Sequence, residues 1–224
     1  MAQILRRKKF KKMNCNSLRI EVLNRTSGIA RKFSTAIIGK VSTGRHTLLH
    51  SFRCLSDPNI EVGAIIDRRD LQLLLVNLTS NPSFNVRAAQ LQVHIFSLLD
   101  NQDSAGVRHF EEVIRRHVFC TLKNFILIYD ITSTQSFKEL EDILQEINYI
   151  VEPRTCNFIV VGNKKDKEWE RQISPDDGAD LTSKCGARNF YECSALNNLN
   201  TQPVLDSVLH MGLHRRSSRR IRVN

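Results

Sequence analysis

Residues 158–166 read F-I-V-V-G-N-K-K-D, an apolar run that ends directly in the polar pattern N-K-x-D. Further along, residues 192–196 read E-C-S-A-L and end a second short apolar element. Apolar runs of this length predict buried strands of a parallel sheet. Parallel sheets bind ligands at the carboxyl ends of their strands, and both polar elements fall at such ends. We therefore expect the two elements to lie side by side.

The carboxylate of Asp166 indicates what these elements would bind. Guanine presents two adjacent hydrogen-bond donors, the ring N1–H and the exocyclic amine. One carboxylate can accept both at once, and such paired, charge-assisted hydrogen bonds are strong and geometrically selective. The pattern N-K-x-D followed by S-A therefore predicts a pocket that reads guanine.

Apolar runs alternate with helical spacings along the rest of the chain. The predicted strands are Phe33–Ile38, Leu71–Leu78, Leu91–Leu99, Phe125–Tyr129, Phe158–Val161 and Phe190–Cys193, and helical patterns cover 48–55, 104–120, 137–151, a segment starting at Ser174, and 201–214. The second and third strands read as a hairpin with a long loop. This order predicts an α/β fold of three layers, with a mainly parallel six-stranded sheet and helices on both faces.

Charge is concentrated at the two ends of the chain. The formal net charge of the 224 residues is +10, whereas the basic residues within 6–12 and 215–222 together carry +11. The remainder is therefore close to neutral. We predict a basic flexible N-terminal extension over residues 1–32, a folded domain over 33–214 and a basic C-terminal tail over 215–224.

The six cysteines show no C-x-x-C spacing, which predicts reduced thiols in a cytoplasmic or nuclear protein. The basic ends predict attraction to an anionic membrane surface, which would place the protein at the periphery of the plasma membrane. The alternative is that these ends serve only solubility or nuclear import. Ala2 is not the glycine that myristoylation requires, and the ending R-V-N offers no cysteine to prenylate, so we expect no lipid anchor. We expect a monomer, and we expect no nucleic-acid binding by the folded part, because it shows no nucleic-acid motif.

The first loop, residues 39–47, reads G-K-V-S-T-G-R-H-T after the first predicted strand. Glycines at this spacing let a loop wrap phosphate groups with its backbone N–H groups. With V-G-N-K-K-D at 161–166, Y-D-I-T at 129–132 and F-Y-E-C-S-A at 190–195, the order of elements resembles the Ras superfamily of small GTPases over 33–214. Within it, the second half is most similar to the Ras-related, oestrogen-regulated growth-inhibitor branch and its Ras-like relatives.

The resemblance implies a P-loop NTPase-like fold, GTP and GDP as ligands, Mg²⁺ as cofactor, and protein effectors or regulators as signalling partners. It implies that Asn163 and Asp166 hold the guanine edge and that the stem of Lys164 packs along the base. Ser194 and Ala195 would support Asp166 and offer a backbone N–H to the guanine carbonyl. Leu196 follows them in the same loop.

The first loop departs from the family pattern G-x-x-x-x-G-K-[ST]. Gly39 and Gly44 keep the spacing, but Arg45 replaces the lysine and His46 the hydroxyl residue, while Thr47 comes one residue late. These five residues are the nucleotide-binding candidates of the first loop, although Thr47, being one residue late, is expected to face elsewhere. Arg45 either points away or reaches phosphate differently from lysine. His46 lacks the hard oxygen ligand that magnesium prefers.

The second phosphate element, D-x-x-G-Q in the family, departs further. Ser97 replaces the acid, Asp100 the glycine and Asn101 the catalytic glutamine. Ser97 and Thr47 remain the metal-ligand candidates and Asn101 the catalytic one. Residues 57–61, D-P-N-I-E, resemble the first switch segment. Because phosphoryl transfer depends on positioned charge and metal, we expect hydrolysis to be impaired more than binding.

The base-reading motifs match the family, whereas the phosphate and metal positions depart from it. Two functions are compatible with this combination. The first is a small GTPase that binds guanine nucleotide and hydrolyses GTP weakly. The second is a pseudo-GTPase that acts as a protein-interaction module without nucleotide turnover. Nucleic-acid binding through the basic ends is a third hypothesis.

Overall fold

The computed structural model describes residues 31–55, 60–68, 71–81, 86–96, 120–150 and 156–213. Seven strands form one sheet in the order β2-β3-β4-β1-β5-β6-β7. The strands are β1 Arg31–Ile38, β2 Ile60–Arg68, β3 Leu71–Asn81, β4 Val86–Phe96, β5 Asn124–Asp130, β6 Asn157–Asn163 and β7 Asn189–Glu192. The helices are α1 Arg45–Arg53, α2 Thr134–Ile150, a 3-10 helix Lys165–Glu170, α3 Pro175–Cys185 and α4 Thr201–Leu213.

The five strands β4, β1, β5, β6 and β7 run parallel. All seven residues of β5 are buried, as are all but the first residue of β6. Such continuous burial explains why both strands read as unbroken apolar runs, since helices cover both of their faces. The predicted α/β class with a mainly parallel sheet is confirmed.

The sheet has seven strands in the described residues rather than the predicted six. The additional strand is β2, which pairs antiparallel with β3 from Ile60 opposite Leu78 to Arg68 opposite Leu71. The predicted hairpin is confirmed as β3 and β4, but both strands are longer than expected, so only residues 82–85 connect them. The prediction of a long loop was wrong because pairing continues through Thr79 opposite Ala88 to Asn81 opposite Val86, so the polar end of β3 still belongs to the ladder.

Two apolar clusters lie on the two faces of the sheet. Alternate residues of a strand point to opposite faces, so Ile126 and Ile128 face one cluster, whereas Phe125 and Leu127 face the other. The first cluster includes residues of α1 and α4, and the second includes residues of α2 and α3. This arrangement confirms the predicted helix layers on both faces.

The helix predicted to start at Ser174 has a capping box. The Ser174 hydroxyl accepts the Asp177 N–H at 3.1 Å, and the Asp177 carboxylate accepts the Ser174 N–H at 3.0 Å. The helix predicted over 104–120 lies outside the described residues apart from Cys120. In the described part of the chain, no helix combines the length and apolar character that a bilayer span requires.

Candidate functional site

Four strand ends carry the candidate site. The first loop follows β1, Asp130 ends β5, Asn163 ends β6, and Ser194 lies just beyond β7. Because these strands are parallel neighbours in the sheet, their carboxyl ends lie at one end of it. Both sequence elements that predicted a ligand site are therefore brought together, as expected.

The first loop is held in a conformation that requires its two glycines. Gly44 caps α1 with φ 91°, in the left-handed region, and Ser42 also has a positive φ of 69°. A Cβ on Gly39 would lie 2.2 Å from the Ile128 carbonyl oxygen, and one on Gly44 would lie 2.3 Å from Nδ2 of Asn163. The close approach of the loop to β5 and β6 thus depends on glycine at both positions.

Asn163 joins the first loop to the loop after β7 that contains Ser194 and Ala195, which we call the S-A loop. Its Nδ2 donates to the Thr43 carbonyl at 2.8 Å, and its Oδ1 accepts the Ala195 N–H at 3.0 Å. The Cys193 thiol also donates to Oδ1, at 3.6 Å. Asn163 is 2% exposed, so this side chain acts as an internal link between the two loops. Because the Ala195 N–H bonds Asn163, the structure does not show it available for a guanine carbonyl.

Cys193 stays a neutral thiol in this arrangement. Burial, reinforced by the negative charges of Asp166 and Glu192, raises the pKa of Cys193 to about 12. The thiol is therefore protonated at neutral pH and keeps its role as a donor to Asn163. Sequence reasoning assigned Cys193 no function, since a lone cysteine in a strand-end motif gives no such signal.

Asp166 is oriented by Ser194, as the resemblance implied. The Ser194 hydroxyl donates to Oδ1 of Asp166 and also accepts the Asn197 N–H at 3.2 Å. In the described part of the chain, the second carboxylate oxygen of Asp166 accepts no hydrogen bond. Leu196, two residues beyond Ser194, leaves 71% of its surface exposed. A half-satisfied carboxylate, held by a serine two residues before an exposed apolar side chain, suits a flat ring with adjacent N–H groups.

Lys164 is anchored to a buried carboxylate. Its Nζ lies 2.7 Å from Oδ2 of Asp130, while Oδ1 of Asp130 accepts the Thr132 N–H at 2.9 Å and its hydroxyl at 2.7 Å. Burial alone would raise the pKa of Asp130, but the hydrogen bonds from Lys164 and Thr132 outweigh it and lower the pKa. Anchoring Nζ restricts the aliphatic stem of Lys164, the part predicted to lie along the base.

An ion-pair network fixes the 3-10 helix to β7. Arg171 binds Glu192 through two N–H groups at 2.6 and 2.9 Å and binds Glu168 through two more, each at 2.7 Å. Lys165 adds a second cation at 3.2 Å from Glu192. Planar bidentate pairs of this kind define orientation well. The network holds the segment that carries Asp166, yet no spacing rule in the sequence joins these residues.

The candidate phosphate-binding residues at the start of α1 differ from one another in exposure. Arg45 is only 3% exposed, so its side chain is enclosed within the protein. His46 is half-buried at the start of α1, and Thr47 is exposed on that helix. Magnesium prefers hard oxygen ligands, and the imidazole of His46 supplies none. Of the metal-ligand candidates, Thr47 is described and offers a hydroxyl oxygen on α1, whereas Ser97 lies outside the described residues, as does the catalytic candidate Asn101.

The first-switch candidate is partly placed in the sheet. Residues 57–59 lie outside the described residues, whereas Ile60 and Glu61 open β2 and pair with Leu78 and Asn77 of β3. A segment paired in a sheet is held by backbone hydrogen bonds. The sequence resemblance to a switch gave no sign of this pairing.

Comparison with known proteins is consistent with an α/β protein whose candidate ligand site lies at the carboxyl ends of its parallel strands. A family model described as "Ras family" matches residues 77–213, more than half of the chain. The chain therefore belongs to the Ras family of small GTPases. The first loop, at residues 39–47, precedes the matched range.

Several curated proteins are similar to this chain. "Ras-like protein 1" of Saccharomyces cerevisiae is 35% identical over 51% of this chain and 37% of its own length. "Ras-like protein" of Laccaria bicolor is 36% identical over 47% of this chain and 50% of its own length. "Ras-related protein Rab-39A" of Homo sapiens is 26% identical over 76% of this chain and 73% of its own length. The chain thus spans half or less of the length of the first two relatives.

Proposed function

We propose that this protein binds guanine nucleotide, GDP or GTP, at the carboxyl ends of β1, β6 and β7. The observation that carries the proposal is Asp166, whose carboxylate is held by Ser194 and retains acceptor capacity for two N–H donors. Asn163 supports the proposal, because this residue links the S-A loop to the glycine-containing first loop. The base and phosphate ends of one ligand would then be held at a fixed separation.

The first loop would hold phosphates mainly through backbone N–H groups, with weakened use of Mg²⁺ and slow hydrolysis. Positive φ values at Ser42 and Gly44 support such an anion-binding loop. The loss of a charged hydrogen bond costs about 1.5–3 kcal/mol, or roughly 10–100-fold in affinity. Replacing the lysine and the hydroxyl ligand thus predicts weaker binding than that of a family member with the full pattern. Partners would be protein effectors or regulators.

A second candidate is a protein-interaction module that uses the same fold without nucleotide turnover. The observations that favour it are the enclosed side chain of Arg45 and the pairing of Ile60 and Glu61 in β2. A switch needs a segment that the terminal phosphate orders, and a segment already paired in the sheet is ordered without it. Its surface would present one conformation to partners.

Mass spectrometry of the nucleotide released from purified protein distinguishes the two candidates. We expect GDP or GTP, and measurable rebinding of GDP. The variant Asp166→Asn presents one donor and one acceptor, which no longer matches guanine but matches xanthine, whose ring carries an oxygen in place of the amine. GDP affinity should fall at least tenfold and xanthosine diphosphate should bind better than to the wild type. An empty site that ignores millimolar GDP would support the module instead.

Hydrolysis is tested separately by single-turnover conversion of bound GTP. We expect a rate well below that of a Ras protein with the full phosphate motifs, assayed in parallel. A rate equal to that of the reference protein would contradict impaired hydrolysis while leaving guanine binding intact.

A further inference from the structure

An ion pair ties the first loop to α2. Lys40 directly follows Gly39, and its Nζ lies 2.6 Å from Oε1 of Glu139, a residue 99 positions further along the chain. Gln135, one helical turn before Glu139, donates to the same oxygen at 3.0 Å. The Lys40 and Glu139 side chains are 34% and 28% exposed, so the pair is partly shielded from water. Glu139 lies outside the motifs that predicted the site, and Lys40 occupies a variable position of the first loop.

The backbone of Lys40 also closes the first loop. Its carbonyl accepts the Thr43 N–H at 3.3 Å and the Thr43 hydroxyl at 2.8 Å. The Thr43 carbonyl in turn accepts Nδ2 of Asn163 at 2.8 Å. The loop is therefore fixed from two sides, by α2 through Lys40 and by β6 through Thr43.

We propose that Lys40 and Glu139 form a positioning brace that holds the first loop in its phosphate-binding conformation before nucleotide arrives. The proposal rests on the proposed function for its effect on nucleotide, but the brace itself concerns the conformation of the loop. A preformed loop loses less conformational freedom on binding and releases its ligand more slowly. Lys40 acts here through the loop, since its ammonium is paired with Glu139 on α2.

The brace is tested first without nucleotide, by hydrogen exchange of peptides that cover residues 39–48 in the full-length protein. Lys40→Met and Glu139→Gln should each speed exchange of these amides about two- to fivefold, the size expected for a partly exposed ion pair. The exchanged pair Lys40→Glu with Glu139→Lys should restore slow exchange. The control Lys167→Met breaks the exposed pair with Glu170 at 3.4 Å, outside the loop, and should change nothing there.

The second readout is the dissociation rate of a fluorescent GDP analogue. Both single variants should release it about two- to fivefold faster, and the exchanged pair should return to near the wild-type rate. A direct contact between Lys40 and phosphate would give a different result, because the exchanged pair would then remain defective. Unchanged amide exchange in both single variants, or failure of the exchanged pair to restore it, would overturn the brace. A wild type that binds no GDP would reject the proposed function, while amide exchange would still decide on the brace.

Discussion

Asn163 shows how one buried amide can connect two loops that are distant in the sequence. It uses its nitrogen for the first loop and its oxygen for the S-A loop. Buried polar groups cost free energy when they lose their partners, so both loops depend on this side chain. Through this link, a residue of the N-K-x-D motif also holds the first loop.

Asn163→Ala should therefore destabilise the protein by about 2–4 kcal/mol, because it leaves the Thr43 carbonyl and the Ala195 N–H without their partner. Urea unfolding measures this change. Asn148→Ala, at an exposed position of α2, is the matched control and should change stability by less than about 0.5 kcal/mol. Equal effects of the two variants would contradict the role assigned to Asn163.

The Lys164–Asp130 pair predicts a dependence of stability on pH. The pKa of Asp130 is lower in the folded protein than its ordinary value. Its contribution is therefore complete above an ordinary aspartate pKa of about 4 and is lost as the pH falls through the lowered pKa. Lys164→Met should cost about 1–3 kcal/mol at pH 7, where it leaves a buried carboxylate without its cation, and clearly less at about pH 3.

Urea unfolding at both pH values checks this difference. Lys167→Met removes a lysine from an exposed pair in the same region and serves as the control. A loss for Lys164→Met that is the same at both pH values would show that the ion pair with Asp130 is not its cause.

Among the elements, strand β2 bears most directly on whether the protein can act as a switch. It adds an antiparallel edge to the sheet with a register shift between Val62 and Ile65. Pairing at its start includes residues that resemble the first switch. An element held by backbone hydrogen bonds on one side has little reason to rearrange when a ligand arrives elsewhere.

We therefore expect the amides of residues 60–68 that pair with β3 to exchange equally slowly with GDP and with a non-hydrolysable GTP analogue. Hydrogen exchange with mass spectrometry gives the comparison, and peptides from residues 39–48 report in the same experiment whether nucleotide has bound. Faster exchange in the 60–68 peptides with only one of the two ligands would show that β2 takes part in a switch.

At the level of the whole molecule, a nearly neutral domain is flanked by basic ends. The basic residues within 6–12 and 215–222 carry +11, against a net charge of +10 for the chain. Each basic residue near an anionic membrane contributes about 1 kcal/mol, and salt screens the attraction. We propose that these ends give the protein a peripheral association with anionic membranes, independent of the nucleotide site.

Replacing these eleven basic residues by glutamine in the full chain should abolish sedimentation with phosphatidylserine vesicles and leave GDP affinity within about twofold, because the nucleotide-site residues lie between positions 39 and 196. Wild-type binding should also fall as salt is raised from 50 to 300 mM. Neutral phosphatidylcholine vesicles are the control. If the glutamine variant still binds the vesicles, the basic ends are not the cause of membrane association.

Much of the parallel half of the fold follows from local signals. Strands β5 and β6 are buried on both faces, so their apolar runs are unbroken, and Ser174 with Asp177 marks the start of α3 by a local capping box. Strand β2 of the antiparallel half was not predicted, because its pairing with β3 defines it and its own residue pattern does not. Pairing between strands is a property of two segments at once.

The sequence by itself determined the α/β class and the positions of most parallel strands along the chain, and it predicted that Ser194 supports Asp166, because periodicity and short motifs are local properties. Only the tertiary structure showed that Asn163 bonds both loops and that Lys40 meets Glu139 across 99 residues. Such contacts join segments that no spacing rule relates. They arise because parallel strands bring their carboxyl ends, and the loops that follow them, to the same end of the sheet.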